Sequence, residues 1–352
     1  MAELMHFLER AVSEHASDIF IVAGGPVSCK LEGRVTRMGE ERLLPPQTKE
    51  LITEIYRLAD RNMDAFLKNG DDDFSFAVPG LARFRVNAYR QRGSLAAVVR
   101  VVAFSIPDWQ EINIPERIMS LANAGHGMIL MTGTAGSGKS TTQACIIDRI
   151  NRTRDCHIIT LEDPIEFLHR NQRSIVSQRE IAVDTADYLA ALRACLRQAP
   201  DVILLGEMRD PETIRTTITA AETGHLIIAT LHTKGAVNAI DRIIDSFPSE
   251  HQAQIRMMLS TVLQTVVSQQ MLPDKNGGMV PAFEVMHVNS AIRSMIRENK
   301  SHQISNVIAA GSREGMITMD QAILELCRAG HITKETALLY ADAPDMLKRQ
   351  LG

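Results

Sequence analysis

Eight residues, Gly133-Thr134-Ala135-Gly136-Ser137-Gly138-Lys139-Ser140, follow the pattern G-x-x-x-x-G-K-[ST]. They lie between an apolar run, Met128-Ile129-Leu130-Met131, and a run from Thr141 to Ile150 with Ile146, Ile147 and Ile150 on one side of a helix. Strand, glycine loop and helix in that order commit this part of the chain to an α/β architecture. In such a loop the glycines let backbone N–H groups turn toward a phosphate, and the helix N-terminus adds positive potential. Lys139 would reach the β- and γ-phosphates, Ser140 would bind Mg²⁺, and Thr141 would open the helix. The pattern points to a nucleoside triphosphatase.

The 352 residues, 45% hydrophobic and 23% charged, are enough for roughly two domains with separate cores. A net charge of −4 argues against a nucleic-acid binder held mainly by phosphate contacts. The five cysteines are scattered and never spaced C-x-x-C, so neither a disulfide framework nor a zinc clip is expected. No apolar run approaches the roughly 18 residues of a membrane span, so membrane association is expected to come through a partner.

Residues 1–104 read as a small α+β domain. A helix at Ala2–His15 leads into strands at 18–22 and 28–31, a second helix at Pro46–Lys68, and three alternating segments at Phe74–Val78, Arg83–Tyr89 and Leu95–Val102. The triplet Asp71-Asp72-Asp73 reads as a solvated loop. Proline and polar residues at Ser105–Gln110 mark a boundary, giving a linker at 105–112, and Trp109 there suits packing. From 113 to 352 short apolar strands (127–132, 157–161, 202–205, 226–230) alternate with helices (188–197, 212–222). That alternation predicts a parallel sheet with its ligand site at the strand carboxyl ends. Beyond Ala236 the chain reads as mostly helical, with a long helix at Glu250–Gln270.

Each of those strands ends at a chemically loaded segment. The second leads into Glu162-Asp163-Pro164-Ile165-Glu166, carboxylates of the kind that orient or deprotonate water and hold metal-bound waters. Asp163 before Pro164 also fits plain turn chemistry. Val202–Leu205 runs into Gly206-Glu207, four apolar residues and then an acid, as at a Walker B end. His225 and His232 bracket the fourth strand and suggest phosphate sensing. Among the arginines of the N-terminal domain, Arg85 and Arg100 sit inside strand patterns. They are the preferred cations for a γ-phosphate, ahead of Arg83 and Arg92.

These residues resemble a known family. GTAGSGKSTT at Gly133–Thr142, ITLEDPIEF at Ile159–Phe167, ILLGEMRD at Ile203–Asp210, TAAETGH at Thr219–His225 and Thr230-Leu231-His232-Thr233 are similar to the Walker A, Asp, Walker B and His boxes of the type II/IV secretion ATPases. Within these the chain looks most like the PilT-like retraction ATPases of type IV pili. Phe84–Tyr89 matches a sheet motif of their N-terminal domain, and Ala291–Lys300 resembles their AIRNLIRE helix. The resemblance implies an α/β, RecA-like P-loop core with a PAS-like N-terminal domain, and a homohexameric ring at the inner face of the cytoplasmic membrane. It further implies ATP and Mg²⁺ as cofactors, Glu166 as general base, Glu207 as a metal-water ligand, and Arg85 and Arg100 approaching the nucleotide. The implied work is pilus retraction against an inner-membrane platform protein, alongside other pilus ATPases. An accessory PilU-like motor is the alternative, and a secretion or DNA-translocating ring is a more distant one. In Ala291–Lys300 an apolar stripe (Ile292, Met295, Ile296) is expected to anchor the helix and a basic face (Arg293, Arg297, Lys300) to transmit motion.

Overall fold

A computed structural model describes residues 2–31, 33–102 and 106–351. Two compact units emerge: Met1–Ser105 with Glu166–Leu168, and Ile106–Ile165 with His169–Gly352. The boundary read at Ser105 and the domain end at 103–104 lie outside the described residues.

The first unit contains α1 (Ala2–Ser13), β1 (Asp18–Ile21), β2 (Ser28–Leu31), β3 (Arg34–Arg37), α2 (Pro45–Leu58), α3 (Asp64–Asn69), β4 (Asp71–Val78), β5 (Ala82–Gln91) and β6 (Ser94–Val102). Its six strands form an antiparallel sheet in the order β3-β2-β1-β6-β5-β4. Alternation along β5 decides which face is core. Ala82, Phe84, Val86 and Ala88 are buried with Leu8, Ile52 and Tyr56 from the helices, while Arg83 and Arg85 point the other way. The β5–β6 turn places Arg92 and Gly93 at φ of 48° and 79°, as a two-residue type I′ hairpin requires.

Two expectations are corrected here, and one strand was not anticipated. The stretch 46–68 is two helices, because Asp60 turns left-handed at φ 49° and stops α2. Asp71–Asp73 is not a loop but the start of β4. Asp72 accepts bonds from Tyr56 Oη at 2.8 Å and from Arg61 Nε and Nη2 at 3.0 and 2.8 Å, and local pairing outweighs the usual preference of an acidic run for solvent. Although burial alone would raise its pKa, the Arg61 and Tyr56 bonds hold the Asp72 carboxyl below the ordinary range. Finally, the exposed strand β3 has no burial pattern to reveal it.

The second unit contains α4 (Glu116–Met119), β7 (Gly127–Thr132), α5 (Lys139–Thr153), β8 (His157–Glu162), β9 (Ile175–Glu180), α6 (Tyr188–Cys195), β10 (Val202–Leu205), α7 (Pro211–Glu222), β11 (Leu226–Leu231) and α8 (Ala236–Asp245). It continues through α9 (Ser249–Val262), β12 (Leu263–Pro273), β13 (Met279–His287), α10 (Ser290–Arg297), α11 (Ile304–Ala310), α12 (Met319–Arg328), α13 (Lys334–Tyr340) and α14 (Pro344–Leu351). The sheet order is β13-β12-β7-β11-β10-β8-β9, parallel except for the β12–β13 hairpin.

Both faces of this sheet are covered, which is why its strands read as continuous apolar runs. Met128 and Leu130 join Ile159, Leu161, Ile203, Leu205 and residues of α6 to α10 on one face. Ile129 and Met131 join Ile158, Val202, Leu204, Ile146, Ile147 and Ile150 on the other. The helix expected at Glu250–Gln270 ends instead at Val262 and becomes β12 without an intervening loop. Thr265-Val266-Val267 are β-branched and pair with buried β7, so sheet burial overrides helical periodicity there.

Candidate functional site

The register of the sheet builds the site. Thr132 of β7 pairs with Leu231 of β11, Ala229 of β11 with Leu205 of β10, and Leu205 with Leu161 of β8, all parallel. The loop at Gly133, the acid after Leu205, the acid at Glu162 and His232 therefore all leave the sheet at its carboxyl edge. The His232 strand lies between the phosphate-loop strand and the Glu207 strand.

Gly133, Gly136 and Gly138 take φ of 140°, 76° and 82°, so side chains are excluded on conformational grounds alone. Gly138 is also the N-cap of α5 and supplies no side-chain cap to its first turn. Lys139 is 6% exposed, and its Nζ donates to the carbonyls of Gly133 and Thr134 at 2.8 Å each, which places the ammonium inside the loop. Thr134, Ala135 and Gly136 form the exposed lip, and Ser140 and Thr141 follow Lys139 in the first turn of α5, half-buried. Beneath them Ser137 Oγ and Thr132 Oγ1 are buried without a hydrogen-bond partner among the described residues. Unsatisfied hydroxyls under a glycine loop at a helix N-terminus fit a phosphate group. The oxygens of Ser140 and Glu207 are donors of the kind Mg²⁺ takes.

On the acidic side, Glu207 is 9% exposed. Its carboxylate pairs with Arg209 and lies 3.5 Å from His232 Nε2. Its bond to Glu207 raises the Arg209 pKa. Gly206 has no room for a side chain, since a Cβ would come 2.8 Å from Tyr188 Oη and 3.1 Å from the Leu161 carbonyl. A cavity of about 190 Å³ opens beside Glu207, Arg209, His232 and Thr233. Glu162 accepts from Thr160 Oγ1 at 2.5 Å and Gln178 Nε2 at 3.2 Å. Glu166 belongs to the short segment that groups with the first unit.

His225 requires a correction. It precedes β11 and His232 follows it, so six strand residues, about 20 Å, separate the two ends. His225 sits at the amino edge, its Nδ1 within 2.9 Å of the Ala220 carbonyl and 3.1 Å of Thr223 Oγ1, where it closes the end of α7. Residues that bracket a strand cannot both face one edge, so only His232 lies near the phosphate loop of its own chain. The basic face of α10 is also reduced. Arg293 Nη1 donates to the carbonyls of Ser260 and Thr261 at 2.6 and 2.8 Å, capping α9, while Arg297 stays exposed.

Arg85 and Arg100 both lie on the sheet face turned from the first unit's core. Arg85 grips Asp73 with two bonds, at 3.1 and 2.7 Å, and Arg100 holds Asp18 at 3.0 Å. Sequence reasoning missed Gln143, whose Nε2 donates to Thr230 Oγ1 at 2.8 Å, and Gln269, which meets the phosphate loop from β12. The turn Asp274–Gly278 between two apolar runs was the available signal for the β12–β13 hairpin.

A parallel sheet bearing a phosphate loop at its carboxyl edge, with acids entering from neighbouring strands, defines a P-loop nucleotide-binding protein of the RecA-like kind. The chain belongs to the type II/IV secretion system protein family, whose family model matches residues 1–314. It is 42% identical to the type IV pilus retractation ATPase PilT of Pseudomonas aeruginosa over 343 residues, 97% of this chain and 99% of that protein. It is 38% identical to the type IV pilus ATPase PilU of the same organism over 347 residues, 98% and 90% of the two chains. Among solved structures, the pilus retraction motor PilT with bound ADP matches at a TM-score of 0.90 and 42% identity, covering 98% of each chain.

Proposed function

We propose that this chain is an ATP-hydrolysing motor of type IV pilus retraction, working as a homohexameric ring. The observation that carries the reading is the end-to-end likeness to PilT, including a crystal structure of that motor with bound ADP. The loop geometry supports it independently. The 38% likeness to PilU favours an accessory retraction motor as the second reading.

In this reading the N–H groups of Gly133–Ser140 and the Lys139 ammonium hold the phosphates. Mg²⁺, held by Ser140 and directly or through water by Glu207, would supply charge neutralisation on the phosphate oxygens. Glu166 takes the proton of the attacking water, with Glu162 and Glu207 orienting it, and His232 reports the γ-phosphate through its contact with Glu207. Arg85 or Arg100 supplies the cation that stabilises transferred charge. The division into a PAS-like domain at 1–104, a linker at 105–112 and an ATPase domain at 113–352 belongs to the same reading. So does a place on the cytoplasmic side against an inner-membrane platform protein. No helix among the described residues is long and apolar enough to cross a membrane.

Phosphate release from Mg·ATP by the purified chain tests the enzymatic part. Steady turnover that disappears in a folded Lys139→Ala variant is expected. Equal rates in both would sink the assignment of the loop. Stimulation by platform protein and not by DNA is expected, and the reverse would favour a translocase.

A further inference from the structure

One residue outside the sequence motifs meets the phosphate loop at two points and the helix behind it at a third. Ser268 of β12 pairs with Thr132 of β7, which brings Gln269 level with Gly133. A Cβ on Gly133 would overlap the Gln269 carbonyl oxygen. A Cβ on Gly138 would come within 2.9 Å of Gln269 Nε2. Between these, Thr142 Oγ1 of α5 donates to Gln269 Oε1 at 2.9 Å. Gln269 is 2% exposed and Thr142 1% exposed, so this hydrogen bond is shielded from water.

We infer that Gln269 is a positioning residue for nucleotide binding. Its main chain fixes the first glycine of the loop, and its amide fixes the last glycine and the first turn of α5. This rests on the nucleotide-binding reading of Gly133–Ser140. Glycine-rich segments have many accessible conformations, and a ligand that binds only one of them has its apparent affinity reduced by that conformer's fraction. A buried amide pressed from a neighbouring strand onto both ends of the loop raises that fraction before nucleotide arrives. The same contact explains why glycine is needed at Gly138 beyond its φ: the space above it belongs to Gln269.

The effect should fall on binding and not on chemistry, because Gln269 meets the loop and not the reacting atoms. The test is ADP affinity by calorimetry on the folded full chain, with ATP kinetics alongside. Gln269→Leu and Thr142→Val should each weaken ADP binding about tenfold, the scale of one buried hydrogen bond. KM for ATP should rise in step, and kcat at saturation should change by less than about twofold. The double variant should be no weaker than either single one, since both remove one shared bond. Thr142→Ser keeps the hydroxyl and should restore affinity. Parent-like ADP binding by Thr142→Val and Gln269→Leu, or additive losses in the double variant, would overturn the inference. If Gln269→Leu does not fold, the Thr142→Val and Thr142→Ser pair decides alone. Lys139→Ala separates the two levels: if it too binds ADP like the parent, the nucleotide-site reading has failed. If it alone loses binding, only the role of Gln269 has failed.

Discussion

Arg85 and Arg100 stand directly opposite each other across β5 and β6, two like charges on the face of the sheet turned from its core. Such a pair is unfavourable by itself. Asp73 offsets it at Arg85 and Asp18 at Arg100. With side-chain exposures of 37% for Arg85 and 66% for Arg100, these ion pairs add at most about 1 kcal/mol each to stability. Exchange of either of these ion pairs for a phosphate contact would therefore cost little. Arg85→Ala and Arg100→Ala should fold normally, and for the arginine that serves as the finger kcat should fall about 10³-fold with ATP affinity nearly unchanged. Steady-state kinetics over an ATP titration checks this, and normal kcat in both variants excludes Arg85 and Arg100 as the finger and leaves Arg83 and Arg92.

The carboxylates allow a separate test. Glu166→Gln and Glu207→Gln should retain ATP binding and lose about 10²-fold or more in turnover, the range of positioned acid–base groups. Single-turnover hydrolysis with fluorescent ATP resolves binding from chemistry. Normal hydrolysis by both variants would mean that these acids do not serve the nucleotide.

In α10 the roles of two arginines separate. Arg293 satisfies orphan carbonyls at the end of α9, so Arg293→Ala should lower stability by about 1–2 kcal/mol, seen as a lower Tm. Arg297 is exposed, and Arg297→Glu should leave Tm and ATPase rate near the parent while reducing retraction. Unchanged twitching in Arg297→Glu would confine α10 to packing.

His169 gives the second unit a pH dependence. Burial pushes its pKa down to about 4, against an ordinary value of 6.5. Between these values the unfolded chain binds a proton that the folded chain refuses, so stability falls as pH drops from about 6.5 toward 4. Chemical denaturation should show a loss of about 2 kcal/mol between roughly pH 7.5 and 5, absent in His169→Gln. Parallel curves for both proteins would show that another group sets the slope.

What could be read from the residues alone follows from where the physical signal is local. The four strands 127–132, 157–162, 202–205 and 226–231 and the phosphate loop were legible because burial on both faces and glycine chemistry leave contiguous marks. Gln269 was hidden because its strand leaves α9 without a turn residue, so helical and strand patterns run together. The mistake at His225 was one of length: proximity in sequence to a site strand says nothing until the strand's direction is known. Asp71–Asp73 misled because their partners, Arg61, Tyr56 and Arg85, come from other elements.

Twitching by a strain that lacks its retraction ATPase, complemented at equal expression with this chain or with its Lys139→Ala variant, joins the phosphate loop to mechanical output in a single readout. The parent chain should restore expansion of the twitching zone, and the variant, folded and assembled, should not. Full restoration by Lys139→Ala would contradict a nucleotide-driven retraction motor.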